Sequence, residues 1–328
     1  MTRRIHWLVA LLALAAAPAQ ALELGEYPDL RRFVDEMVER HGLARGMLNR
    51  LFEEVELKPA VVHAMERPRE GLPWHEYRQS FLDEPHIRDG ARYWKKHAAA
   101  LVRAYGQYGV PPEVVLGILG VETHFGRNRG SYRVIDALTT LTVDYPPRAE
   151  FFRRELEEFL LLARELKRDP RSLRGSYAGA IGIPQFIPSS YRRYAVDFDG
   201  DGRRDLIGNP SDAIGSVANF LKVHGWRAGE PLWDETRLEG TGFGFIEQLG
   251  AKPVLSLEEL IRYGVFPVHH VDGERRAALI SLEGENGPIY RIGYHNFYVI
   301  TRYNRSKRYA MAVTELGEEI RQRYESPP

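Results

Sequence analysis

The chain has 328 residues, 44% hydrophobic and 27% charged, enough apolar matter for a packed core and too much for a disordered chain. Lys+Arg and Asp+Glu both number 45, so the whole-chain balance carries no electrostatic footprint of a nucleic-acid binder. Cys is absent, which excludes disulfides, thiolate metal sites, Cys nucleophiles and a lipid-modified N-terminal Cys.

The first segment, 1–21, reads as a leader. Arg3 and Arg4 precede an apolar run from Trp7 to Ala17 that is short for a membrane span, and Ala19-Gln20-Ala21 has the small-x-small form of a cleavage site. The expectation is an exported protein, cut near Ala21, residing in the periplasm without a membrane anchor.

Helical spacing follows. Leu30, Phe33, Val34, Met37 and Val38 form one stripe, Met47, Leu48, Leu51 and Phe52 a second, with Gly42 as the stop between them. Pro68, Gly71 and Pro73 break the pattern, and a longer helix is expected from about Ile87 to Gln107. Pro111 and Pro112 suit a helix start, and Val114 to Val121 is apolar on every face, so a buried central helix is expected. Gly117 and Gly120 inside it point to close approach of another backbone.

Glu122 stands at the end of this helix. Desolvation and the negative end of the helix dipole both favour a protonated carboxyl, the state a general acid requires. Spacing alone does not separate that role from a Glu that marks where a helix reaches solvent.

Three further motifs follow. Gly175 to Pro188 alternates Gly and Pro with aromatic and polar residues, so backbone can approach a ligand while Ser176 and Gln185 offer hydrogen bonds. Asp197-Phe198-Asp199-Gly200-Asp201-Gly202-Arg203 places carboxylates at positions 1, 3 and 5, Gly at 6 and a backbone carbonyl at 7, as in an EF-hand calcium loop. Position 12 is Gly208, with Asn209 and Asp212 nearby as substitutes. Thr301-Arg302-Tyr303-Asn304-Arg305 sets a ring beside an amide, suited to a sugar and its N-acetyl group, although on the residues alone a solvated turn is the plainer reading. Asp212 to His224 reads as a helix capped by Ser211 or Asp212. Ala277–Leu282 and Tyr290–Tyr294 read as strands around an Asn286-Gly287 turn, Phe297–Thr301 as a further β run, and Tyr309–Arg323 as a terminal helix.

Taken in order, Gly120-Val121-Glu122-Thr123, the stretch from Gly175 to Tyr191, the Asp-rich loop, Asp212 to Asn219, and Ile300 to Asn304 resemble the lytic murein transglycosylase B family, from about Tyr27 to Gly317. The resemblance implies an α+β, mostly helical fold: a lysozyme-like core, an N-terminal helical domain and a small inserted β domain. The expected boundaries are 22–105 for the helical domain, 106–226 and 297–328 for the core, and 227–296 for the β domain. It implies cleavage of the β-1,4 bond between N-acetylmuramic acid and N-acetylglucosamine in peptidoglycan, leaving 1,6-anhydromuramic ends. Glu122 would be the catalytic acid and base. Tyr77, Arg148, Ser176, Gln185, Tyr303 and Asn304 would contact the glycan. Asp197, Asp199, Asp201, Arg203 and Asn209 would hold a structural Ca²⁺, with no organic cofactor. Glycan strands, and cell-wall synthesis or division proteins, would be the partners. Two departures stand out: Pro147 where an Arg often precedes Arg148, and Phe220 in place of a Tyr. Two other readings are a hydrolase using Asp136 or Asp144 as a second carboxylate and a non-catalytic glycan binder.

Overall fold

The computed structural model describes residues 22–67, 71–269 and 272–326; the expected leader lies outside them. The chain divides into two compact units at the Leu57–Lys58 boundary, inside the span expected as the helical domain.

In the first unit, α1 (Pro28–His41) buries Leu30, Phe33, Val34 and Met37, and α2 (Arg45–Glu53) buries Leu48, Leu51 and Phe52. The rings of Phe33 and Phe52 meet edge to face at 6.1 Å. Gly42 ends α1 in the left-handed region, φ 64°, where a side chain is disfavoured.

The second unit continues with α3 (Pro59–Glu66), α4 (Trp74–Tyr77), α5 (Glu84–Tyr108), α6 (Pro112–Thr123), α7 (Val134–Asp144), α8 (Ala149–Glu165), α9 (Pro188–Tyr194) and α10 (Pro210–Val223). A two-stranded ribbon pairs β1 (Tyr132–Arg133) with β2 (Arg174–Gly175). Between α10 and α13 (His295–Ile300) comes an antiparallel sheet of order β4-β6-β7-β3-β5. Its strands are β3 (Trp233–Leu238), β4 (Leu255–Ser256), β5 (Val265–Pro267), β6 (Arg276–Gly284) and β7 (Gly287–Gly293). Short helices α11 (Gly244–Glu247) and α12 (Leu257–Arg262) close over it, and Ile246, Leu257, Leu260, Val265, Ala277, Leu279, Ile292 and Tyr294 form its core. Helices α4 and α14 (Lys307–Glu325) also contact β6, which ties the sheet to the helical core.

Three local expectations are corrected. Phe297–Ile300 lies in helix α13, with Thr301 as its C-cap, not in a strand; in so short an apolar run, burial of Phe297, Val299 and Ile300 does not distinguish periods of 2 and 3.6. Helix α10 starts at Pro210, and its cap is Asn209, whose Oδ1 accepts from the Ser211 N–H at 2.9 Å. The β6–β7 hairpin closes on the Gly284–Gly287 pair, so its two turn residues are Glu285 and Asn286, one place earlier than expected.

The packing of α6 on α14 organises the rest. Residues Val114 to Gly120 are all buried. A Cβ at Gly117 would sit 2.1 Å from the Val313 carbonyl oxygen, and one at Gly317 would sit 2.4 Å from that of Glu113. Each helix therefore presents a glycine to the other's backbone. Helix propensity alone makes Gly117→Ala favourable by about 1 kcal/mol. The overlap reverses the sign: we expect Gly117→Ala to destabilise the fold by about 2–3 kcal/mol, read as a lower urea midpoint at unchanged slope. An equal or higher midpoint would show that the helices separate freely.

Candidate active site

Glu122 is half-buried near the C-terminus of α6. Directly against it is Tyr309, in the first turn of α14, which Ser306 caps by accepting from the Tyr309 N–H at 3.2 Å. The Tyr309 hydroxyl donates to Glu122 Oε1 at 2.6 Å, and the residue is 2% exposed. Burial, reinforced by the Glu122 charge, pushes the Tyr309 phenol well above its ordinary pKa. Tyr309 is therefore a fixed donor to the carboxyl. Tyr303 is raised the same way, by burial first and Glu122 second; its hydroxyl donates to the Pro184 carbonyl, and its ring lies within 10° of parallel to that of Tyr309.

The chain leaves Glu122 through a strained turn. His124, Phe125 and Gly126 all have positive φ, at 49°, 58° and 88°. Left-handed backbone at a non-glycine residue costs about 1–3 kcal/mol and persists only where surroundings impose it. Thr123 supplies part of the constraint. Its buried Oγ1 donates to the Ile183 carbonyl at 2.7 Å and accepts from the Gly126 N–H at 2.8 Å, pinning the end of α6 to the Gly-rich segment.

That segment folds tightly on itself. Ile181 and Phe186 exchange backbone hydrogen bonds, and a Cβ at Gly175 would meet the Ala180 carbonyl oxygen at 2.1 Å. Ser176 Oγ accepts from the N–H groups of Ala178 and Ala180 at 3.2 and 3.1 Å, which leaves its proton to offer a ligand. Gln185 sits at φ 49° and donates Nε2 to the carbonyls of Gly182 and Arg129 at 2.9 and 3.2 Å. Both partners accept, so the amide nitrogen is fixed there and the amide oxygen is directed elsewhere.

Phe220, where a Tyr was expected, is 6% exposed and packs edge-on to Tyr303 at 4.8 Å, flat on His224 at 4.0 Å and beside Phe186 at 5.7 Å. The ring's packing role needs no hydroxyl. Asn304 is half-buried in the turn before α14, its carbonyl accepting from the Ser306 N–H at 2.7 Å. Tyr77 is 2% exposed, edge-on to Phe81 at 5.1 Å and close enough to Tyr309 to act on it electrostatically. Arg148 lies on the exposed turn before α8, with its guanidinium over Phe151 at 4.3 Å; Pro147 is exposed beside it. Of the two alternative carboxylates, Asp136 is buried and gripped by Arg133 through two bonds of 2.7 Å. Asp144 lies at the far end of α7, raised by desolvation.

The Asp-rich loop gathers Asp197, Asp199 and Asp212, one carboxylate oxygen from each lying within 4.8 Å of the others. Asp212 is fully buried and accepts from the N–H groups of Phe198 and Asp205, each at 2.7 Å. Desolvation raises its pKa, the two hydrogen bonds lower it, and the charges of Asp199 and Asp197 raise it again. An all-oxygen set with crowded negative charge suits a hard cation. Asp201 is exposed and outside this trio, with Oδ1 accepting from the Arg203 N–H at 2.8 Å. Asn209 turns Nδ2 to Asp199 Oδ2 at 2.7 Å while its Oδ1 caps α10.

Tyr309 and Thr123 were not among the sequence candidates. Thr123 adjoins Glu122 in the quoted motif, but its hydroxyl's use depends on a segment 60 positions away. Tyr309 carries no local signal at all.

Residues 25–318 match the transglycosylase SLT domain family. The chain is 42% identical over 303 residues to membrane-bound lytic murein transglycosylase B of Escherichia coli, covering 89% of this chain and 82% of that one. It superposes on catenated lytic transglycosylase SltB1 of Pseudomonas aeruginosa with TM-score 0.86 and 49% identity, over 90% and 98% of the two chains. It superposes on the Escherichia coli lytic transglycosylase Slt35 in complex with calcium with TM-score 0.83 and 40% identity, over 91% and 94%. The chain belongs to the transglycosylase SLT domain family and has the lysozyme-like, mostly helical α+β fold of the lytic transglycosylases.

Proposed function

We propose that this chain is a peptidoglycan lytic transglycosylase in which Glu122 serves as both acid and base. The observation that carries the reading is the Tyr309 hydroxyl on Glu122 Oε1 at 2.6 Å. It fixes one oxygen of the Glu122 carboxyl against a buried donor.

In this reading the reaction consists of two proton transfers through Glu122. Glu122 gives its proton to the glycosidic oxygen, the C1–O bond breaks, and the N-acetylglucosamine end leaves as an alcohol. The neighbouring N-acetyl oxygen supports the electron-poor C1. Glu122, now a carboxylate, removes the proton from the C6 hydroxyl as O6 bonds to C1. The 1,6-anhydro ring closes, and the acid regains its proton. No water is consumed, so no second carboxylate is required to activate one. The Tyr309 bond strengthens when Glu122 becomes charged, because hydrogen bonds to ionised acceptors are the stronger class. Ser176, Gln185, Tyr303 and Asn304 supply the N-acetyl and sugar contacts in this reading, with Tyr77 and Arg148 further along the glycan. The domain limits of 22–105, 106–226 with 297–328, and 227–296 are proposed with it.

No described helix is long and apolar enough to cross a membrane. Export to the periplasm is proposed from the Ala19-Gln20-Ala21 site, with cell-wall synthesis or division proteins as partners there. The Asp-rich loop is proposed as a structural Ca²⁺ site. Asp197, Asp199 and Asp212 would hold the ion with the Arg203 carbonyl, Asp201 and Asn209 at its margin, and the ion would supply rigidity rather than chemistry.

Glu122→Gln should fold normally and release almost no muropeptide from sacculi, a loss of at least about 10²–10⁴-fold. Digestion in ¹⁸O water should yield anhydro ends without label by mass spectrometry; labelled reducing ends would indicate a hydrolase instead. Tyr309→Phe should lower kcat about tenfold, in line with losing a hydrogen bond to a charged group. An unchanged kcat would remove Tyr309 from the machinery. Added Ca²⁺ should raise the melting temperature relative to chelator, with apparent affinity around 10⁻⁴–10⁻³ M, and Asp199→Ala should abolish the rise. Identical melting in both conditions would exclude the site.

A further inference from the structure

The turn that follows Glu122 is anchored from a second side by a residue that has no part in the reading above. Asp89, in α5, is 6% exposed. Its Oδ2 accepts from His124 Nε2 at 2.9 Å and also bonds the Arg127 guanidinium. Its Oδ1 receives two long bonds of 3.4 Å from Arg88, with Arg92 at 3.8 Å. One buried carboxylate thus grips both ends of the 124–127 turn, in which His124 and Phe125 are left-handed. The His124 ring is clamped as well: it stacks on His86 at 3.9 Å, and His86 Nδ1 is bonded to Asp83, the α5 cap, at 2.7 Å.

A buried carboxylate without partners is costly, so this one is retained by the cations and the imidazole around it. The same bonds enforce the positive φ angles that two non-glycine residues otherwise avoid. Those angles decide where α6 stops, and α6 stops one residue past Glu122.

We propose that Asp89 is a positioning residue for Glu122, acting through His124 and Arg127 to fix the turn that sets the carboxyl against Tyr309. This rests on Glu122 being the acid and base of the proposed reaction. A positioning role lowers the rate of the chemical step while glycan binding is kept, because misplacement of a reacting group is expressed in the transition state.

The test uses the full chain. Asp89→Asn should lower kcat about tenfold with KM within about twofold. His124→Asn should reproduce the loss, since Asn accepts the left-handed backbone but is too short to span to Asp89. His124→Gln, whose amide reaches further, should restore most of the rate. In the Glu122→Gln background, adding Asp89→Asn should leave the affinity for a GlcNAc–MurNAc tetrasaccharide unchanged by calorimetry. If Asp89→Asn fails to fold, the His124 pair carries the test. Wild-type kcat in Asp89→Asn or His124→Asn would overturn the positioning role alone, and so would weakened tetrasaccharide binding that matches the loss of rate. Turnover by Glu122→Gln itself would overturn the acid assignment and the proposal with it.

Discussion

Everything at the site depends on how closely α6 and α14 approach. A helix normally keeps its neighbour 8–10 Å away, because side chains fill the gap. Here Gly117 faces the Val313 carbonyl and Gly317 faces that of Glu113, so the two backbones meet without intervening side chains. Gly120 continues the seam under Leu316 and Phe125. The consequence is chemical. Close approach allows a short phenol on the first turn of α14 to reach a carboxyl near the last turn of α6, across 187 positions of sequence.

Glu122 sits in a different environment from two buried carboxyls, Asp136 and Glu155. Asp136 is spent on Arg133, and Glu155, raised by burial, is committed to Ser189 through its backbone N–H and hydroxyl. Glu122 instead faces phenols that burial keeps protonated. A carboxyl beside a neutral, non-titrating donor can change its charge without a neighbour competing for the proton, which is what the acid and base role proposed for Glu122 requires.

Much of this was legible in the sequence, for reasons that differ by residue. The all-apolar run from Val114 to Val121 and its glycines indicated a buried helix in close contact with another backbone, and Glu122 at its end was conspicuous because the run admits no other acid. The Asp-rich loop was legible because Asp197, Asp199 and Asp201 are close in sequence. Tyr309 was not, because nothing in a first-turn Tyr announces a partner far away in the chain. Asp212 was weighed only as a substitute, and its burial shows why: its carboxylate joins the loop by first accepting from two backbone N–H groups, a tertiary arrangement that spacing does not encode. Helix α13 was misread because Phe297 to Ile300 is apolar on all sides, where pattern gives no period to read.

The Asp-rich loop and the Gly-rich segment are mechanically one object. The Leu206 carbonyl, at the loop's exit, accepts from the Ile183 N–H at 2.8 Å, and Gly182 lies so near it that a Cβ there would fall 2.4 Å from that oxygen. Ile183 in turn carries the carbonyl that Thr123 holds, while Gly182 and Arg129 hold Gln185. Arg129 closes the circuit with a bond to the Ile207 carbonyl. A displacement of residues 205–208 therefore cannot be absorbed locally. It moves Gly182 and Ile183, and with them both the amide of Gln185 and the anchor that ends α6 beside Glu122. Rigidity in the loop is thereby coupled to the geometry at Glu122, which fits the structural rather than chemical role proposed for its three carboxylates.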